Sequence, residues 1–164
     1  MKSILFFLMW VLFSTVISGC QPTTTYYLNA KADETKVVSL HLGKSEKINW
    51  HDYNVSVDYE LDVSEDVLLI EGVLSVAEGP RMLYRGLHDL RLTLFLLDSE
   101  MRVVSYQDIA TLLDFNIEAT TAFKREMSLL EGIDFYTFGY KGSFINEGGR
   151  RFNREQVWKL PKRN

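Results

Sequence analysis

From Lys36 onward the chain predicts an all-β protein, an antiparallel sandwich with room for one short helix. Three observations carry this. Apolar and polar residues alternate with a period of two over several runs. Turn-forming clusters separate the runs roughly every 8–12 residues, the spacing of short strands in sandwiches. Aromatic residues make up 13% of the chain, and aromatic and β-branched side chains suit the pleated, half-buried surface of a sheet.

Each element is justified in turn. Val38, Leu40 and Leu42 alternate with Ser39 and His41, and Gly43 breaks the run. Tyr53, Val55, Val57, Tyr59, Leu61 and Val63 alternate with Asn54, Ser56, Asp58, Glu60 and Asp62. One face of that strand is apolar and the other polar, as in a sheet with one side on the core and one in water. Ser64-Glu65-Asp66 is a turn. Val67 to Val76 is a second long strand, apolar on both faces around Leu68, Leu69 and Ile70, and so more central in its sheet. Ser75 to Arg81, with Gly79-Pro80, reads as a turn or loop.

Leu90, Leu92, Leu94 and Leu96 alternate with Arg91, Thr93, Phe95 and Leu97 up to a turn at Asp98-Ser99-Glu100; Met101, Val103 and Ser105 resume the pattern as a hairpin. Tyr106 to Leu130 is ambiguous, because Ala119, Ala122, Phe123, Met127 and Leu130 fit helical spacing while Phe123, Arg125, Met127 and Leu129 fit alternation. The expectation there is a short helix or loop near Asp108 to Leu113 and a strand near Phe123 to Leu129. Ile133 to Phe144 is dense in aromatics with Gly139 and Gly142 interleaved, which suits a bent strand closely approached by another segment.

The first 35 residues are different. Met1-Lys2 is a basic start, and Ile4 to Ile17 is an apolar run broken only by Ser14 and Thr15. Small residues then lead to Cys20, the sole cysteine. Basic, apolar and small segments in that order are the layout of a secretory signal. The apolar run falls short of the roughly 20 residues that span a bilayer as a helix, which favours cleavage over a retained anchor helix. The division expected is a signal peptide over residues 1–19, a lipid-bearing Cys20 and tether over 20–35, and the domain with its basic tail over 36–164. Pro22 and three consecutive threonines fit the tether, and Tyr26, Tyr27 and Leu28 are candidates to touch the domain already.

The run Ile17-Ser18-Gly19-Cys20 resembles the lipobox of bacterial lipoproteins. The resemblance implies cleavage between Gly19 and Cys20, a diacylglycerol thioether on the Cys20 sulfur and acylation of the new N-terminus. Several acyl chains at about 0.8 kcal/mol per buried methylene make such an anchor effectively permanent. In enteric-type bacteria an Asp after the lipid cysteine retains lipoproteins in the inner membrane. Gln21 stands here, so the expected place is the cell envelope, on the outer membrane facing the periplasm in a host that has one.

Leu69 to Phe144 resembles the immunoglobulin-like sandwich domains of bacterial envelope lipoproteins, particularly the FxLYD type. The likeness lies in a strand reaching Gly72, the turn at Leu96-Leu97-Asp98, its partner Met101-Arg102-Val103-Val104, and the late strand Phe138-Gly139-Tyr140-Lys141-Gly142. It implies an immunoglobulin-like antiparallel sandwich with no catalytic residues to carry over.

Net charge is −4. Residues 141–164 hold seven basic side chains (Lys141, Arg150, Arg151, Arg154, Lys159, Lys162 and Arg163) against Glu147 and Glu155. The basic tail suits acidic headgroups, cell-wall polymer or the acidic remainder of the chain. The acidic total and the exported location argue against a nucleic-acid partner.

Catalytic patterns are missing from the sequence. His41, His51 and His88 are far apart, with no His-x-x-x-His spacing and no paired cysteines for a metal. Neither a Gly-x-Ser-x-Gly elbow nor a glycine-rich phosphate loop is present. No cofactor is implied. The expectation is a non-enzymatic, lipid-anchored binding or assembly module with a protein partner in the envelope, acting through sheet edges or end loops. The alternative is a small-ligand or cell-wall glycan binder that uses a surface of Tyr136, Tyr140 and Trp158, since aromatic faces stack on sugar rings; alternate aromatics of this region also suit the sandwich core, and a strand has two faces for both.

Overall fold

The structure, a computed structural model, describes residues 26–148 and 151–162. The lipobox, including Gly19 and Cys20, lies outside the described residues. Ten strands are described: β1 (Val38–Ser39), β2 (Gly43–Lys44), β3 (Ile48–His51), β4 (Val55–Val63), β5 (Val67–Val76), β6 (Gly86–Leu97), β7 (Val103–Leu112), β8 (Thr120–Ser128), β9 (Phe135–Gly148) and β10 (Arg151–Lys159). One short helix, α1 (Glu78–Leu83), links β5 to β6.

The strands form two antiparallel five-stranded sheets. One has the order β1-β9-β6-β7, with β10 also on β9; the other has the order β2-β4-β5-β8, with β3 also on β4. Hairpins join β4 to β5, β6 to β7 and β9 to β10. The β5–β6, β7–β8 and β8–β9 connections cross between sheets. Strands β4, β5 and β8 thus take the places of A, B and E in an immunoglobulin-like sandwich, and β6, β9 and β10 those of C, F and G. Strand β7 stays beside β6.

The alternation in β4 is realised in full. Val55, Val57, Tyr59, Leu61 and Val63 are buried, and the residues between them are partly or fully exposed. Tyr53 departs from the expectation: it precedes the strand and is exposed. Strand β5 lies between β4 and β8, as its two apolar faces predict. Leu68, Ile70 and Leu74 point into the core from β5, and meet Leu90, Leu92, Leu94 and Leu96 of β6 and Tyr136, Phe138 and Tyr140 of β9 within one cluster. Gly139 accommodates a close approach. A Cβ there would lie 2.7 Å from the Phe95 ring and from the Lys159 carbonyl oxygen.

Three expectations need correction. Asp108 to Leu112 is neither helix nor loop, because β7 continues to Leu112, and only Leu113 of the expected stretch lies in the loop beyond. A bulge explains the misreading: Leu92 pairs with Ala110 and Thr93 with Asp108, so Ile109 is an extra residue. Ile109, Ala110 and Leu112 are all buried, so the inward phase changes partway and the period of two is lost.

The helix falls instead at Glu78–Leu83, inside the stretch read as a turn. Pro80 sits in its first turn, where its missing N–H costs no helical bond. Tyr84 donates its N–H to the Pro80 carbonyl at 2.9 Å and closes the helix.

Third, residues 26–35 are not wholly a tether. Ala30, Ala32, Phe95, Leu97 and Val103 form a second buried cluster, flanked by Tyr27, Leu28 and Leu160. Asn29 and Val103 donate N–H groups to the Val103 and Ala30 carbonyls at 2.9 and 3.0 Å. The N-terminal segment therefore covers the outer face of the β6–β7 hairpin, where Phe95 and Leu97 would otherwise meet water.

Candidate functional site

The three residues expected to form an aromatic surface separate in the structure. Tyr136 and Tyr140 are 1% and 2% exposed. Their alternation with Thr137 and Gly139 puts them on the inner face of β9, with Phe138 between. The Tyr136 hydroxyl meets that of Tyr59 at 2.8 Å across the two sheets. Burial raises the pKa of both phenols, and their shared hydrogen bond contributes to the Tyr59 shift in the same direction. These tyrosines are core residues and offer no surface. Trp158 alone of the three faces outward, at 68% exposure.

Tyr140 anchors a polar network at the sandwich margin. Its hydroxyl donates to Asp52 Oδ2 at 3.0 Å and accepts from Asn54 Nδ2 at 2.9 Å. Lys159 Nζ lies 3.5 Å from Asp52 and 3.7 Å from Asp33. Burial of Asp52 opposes its ionisation. The Tyr53 N–H, the Tyr140 hydroxyl and the charges of Lys159 and Lys36 outweigh that and hold its carboxyl below the usual range. The network ties the N-terminal segment, the β3–β4 turn and β10 to one another. Its groups satisfy each other, so it reads as a structural clasp.

Next to the clasp is an open hollow of about 850 Å³, lined by Tyr26, Tyr27 and Lys31 of the N-terminal segment and by Trp158, Lys159 and Lys162, with Asp33 as its acidic member. The Lys31 and Lys162 backbones pair through N–H···O bonds of 3.0 and 3.1 Å, which fixes the two segments together. Tyr26 is 64% exposed. Two exposed rings and several lysines make a basic, aromatic surface where the described chain begins.

A second surface, mainly apolar, lies where the β3–β4 turn, α1 and the β7–β8 loop meet, and sequence reasoning missed it. Tyr53, Met82, Leu83, Leu113 and Phe115 are all exposed, Met82 to 81% and Phe115 to 75%. Local contacts gather them at one end. Gly79 of α1 lies against the Tyr53 ring. Arg81 of α1 pairs with Glu118 of the β7–β8 loop at 2.9 Å. The Phe115 carbonyl accepts from Leu87 N–H at 3.4 Å, and the Phe115 ring lies parallel to His88 at 6.3 Å. The available signal was the run Leu112-Leu113-Asp114-Phe115, where bulky apolar residues continue past the strand into a loop.

Among the described residues no group of three His, Cys, Asp or Glu is placed to hold a metal. No helix among them is long and apolar enough to cross a membrane. No protein-family model matches this chain, and neither a curated protein nor a solved structure matches it.

Proposed function

We propose that this chain is a lipid-anchored bacterial envelope protein whose β-sandwich is a non-enzymatic assembly module, docking a second envelope protein through the loop end formed by Tyr53, α1 and the β7–β8 loop. The observation that carries the docking role is the exposure of five large apolar side chains at that end. A cluster of this kind exposed to water is the mark of an interaction surface, and loops held on a rigid sandwich are where binding residues concentrate. The anchor rests on Ile17-Ser18-Gly19-Cys20, and Gln21 assigns it to the outer membrane in a two-membrane host.

The glycan alternative keeps Trp158 but loses Tyr136 and Tyr140 to the core.

Photo-crosslinking in cells tests the docking role. A photoreactive residue at Phe115 in the full chain should give a discrete protein adduct that Met82→Asp removes without changing protease resistance. The same probe at exposed Glu126 on β8 should give none. Equal adducts from both positions, or none from Phe115, would refute the docking end.

A further inference from the structure

We infer that the hollow between Tyr26 and Trp158 is a seat for anionic lipid headgroups, which lays the N-terminal segment and the end of β10 against the bilayer that holds the anchor. The inference rests on the lipid-anchor reading and adds an orientation to it. Three observations lead there. The hollow opens beside Tyr26, and the chain between Tyr26 and Cys20 reaches about 20 Å at most, so this face is kept within a short distance of the bilayer surface. Trp158 and Tyr26, both more than half exposed, are the side-chain types that settle at a membrane–water interface, with an apolar body and a polar edge. Lys31, Lys159 and Lys162 line the same hollow.

The lysines are not equivalent. Lys159 is held between Asp33 and Asp52 and belongs to the clasp. Lys31 pairs with Glu34 at 3.1 Å, but both side chains are largely in water. An exposed pair of that kind gains little, so an anionic surface competes with it readily. Lys162 is exposed. Lys31 and Lys162 are therefore the cations available to headgroups.

The test uses the full lipidated chain, reconstituted into phosphatidylcholine vesicles with or without phosphatidylglycerol, the acyl chains brominated near the headgroup. If Cys20 starts the mature chain, its tryptophans are Trp50, which is buried, and Trp158. Bromine should quench emission strongly in the anionic vesicles, and Trp158→Phe should remove the quenched part. Pure phosphatidylcholine, or raised salt with the unaltered chain, should reduce the quenching. Lys31→Gln and Lys162→Gln should each lower the seated population about fivefold, the effect of one basic side chain at an anionic surface. A protein that floats with the vesicles while Trp158 stays unquenched would overturn this inference and leave the anchor standing. A protein that fails to float with any vesicle would overturn the anchor itself. Protection of Trp158 from iodide by cell-wall fragments, in vesicles without anionic lipid, would assign the hollow to a glycan instead.

Discussion

At the scale of single residues, buried tyrosine hydroxyls connect the two sheets. The Tyr59 and Tyr136 hydroxyls meet at 2.8 Å inside the core. Tyr59→Phe leaves the Tyr136 hydroxyl buried without that partner, which costs about 1–3 kcal/mol. Removing both hydroxyls removes the orphan. Chemical denaturation should therefore find Tyr59→Phe/Tyr136→Phe more stable than either single variant; additive losses would show that the pair is not coupled. Tyr140 makes a second prediction. Burial, with Asp52 acting in the same direction, pushes its pKa up to about 12 although Asn54 opposes the shift. An unfolded tyrosine ionises near about 10. Below that value both states hold the proton, and the contribution of Tyr140 to stability is fully present. Between about 10 and about 12 the unfolded chain releases its proton first, so stability falls as pH rises. Tyrosinate absorbance and circular dichroism followed together on alkaline titration should show the buried tyrosines ionising as the sheets are lost. Complete ionisation with the sheets intact would contradict the assigned burial.

At the scale of elements, β4 is the clearest case of sequence dictating placement. Its period of two puts Val57 inward at 0% exposure and Ser56 on the other face. Val57→Asp buries an unpaired charge and gives up roughly 1.5–3 kcal/mol of side-chain burial. It should unfold or severely destabilise the domain, whereas Ser56→Asp should cost under about 1 kcal/mol. Equal losses in a denaturant titration would mean that β4 is not half-buried. Gly139→Ala should also destabilise, because the new Cβ would press on Phe95 and on the β10 backbone; unchanged stability would show that β10 yields freely.

The same elements show how much was legible. The β4 pattern is readable because one face is wet. Strand β7 is not, since the extra residue Ile109 shifts the phase of its buried positions. Phe95 and Leu97 gave β6 a second apolar face that nothing nearby in sequence explains; their cover comes from residues around Ala30 and Ala32, some 65 positions away in the chain. Tyr136 and Tyr140, just before the basic tail, and Trp158 within it look alike as aromatics. Only the sheet decides which of them face the core. The apolar loop end depends on the β3–β4 turn, α1 and the β7–β8 loop meeting in space, which no local pattern encodes.

At the scale of the whole molecule, the parts fit one arrangement. The anchor at Cys20 would hold the Tyr26–Trp158 face near lipid, and the opposite end of β6 would carry Met82, Leu83, Leu113 and Phe115 toward a partner. The polar clasp of Asp33, Asp52, Tyr140 and Lys159 fastens the N-terminal segment to β10, so a pull on the anchor would act on the body of the sandwich. In a two-membrane host, membrane fractionation should place the protein with the outer membrane, and recovery with the inner membrane would contradict the reading of Gln21. The proposed orientation depends on the proposed lipidation of Cys20. Metabolic labelling with a fatty acid tests that claim most directly. The wild-type chain should take up label and partition into detergent, while Cys20→Ser should carry no label and accumulate as an unprocessed precursor. Equal labelling of the two chains, or an unlabelled wild type, would contradict the account.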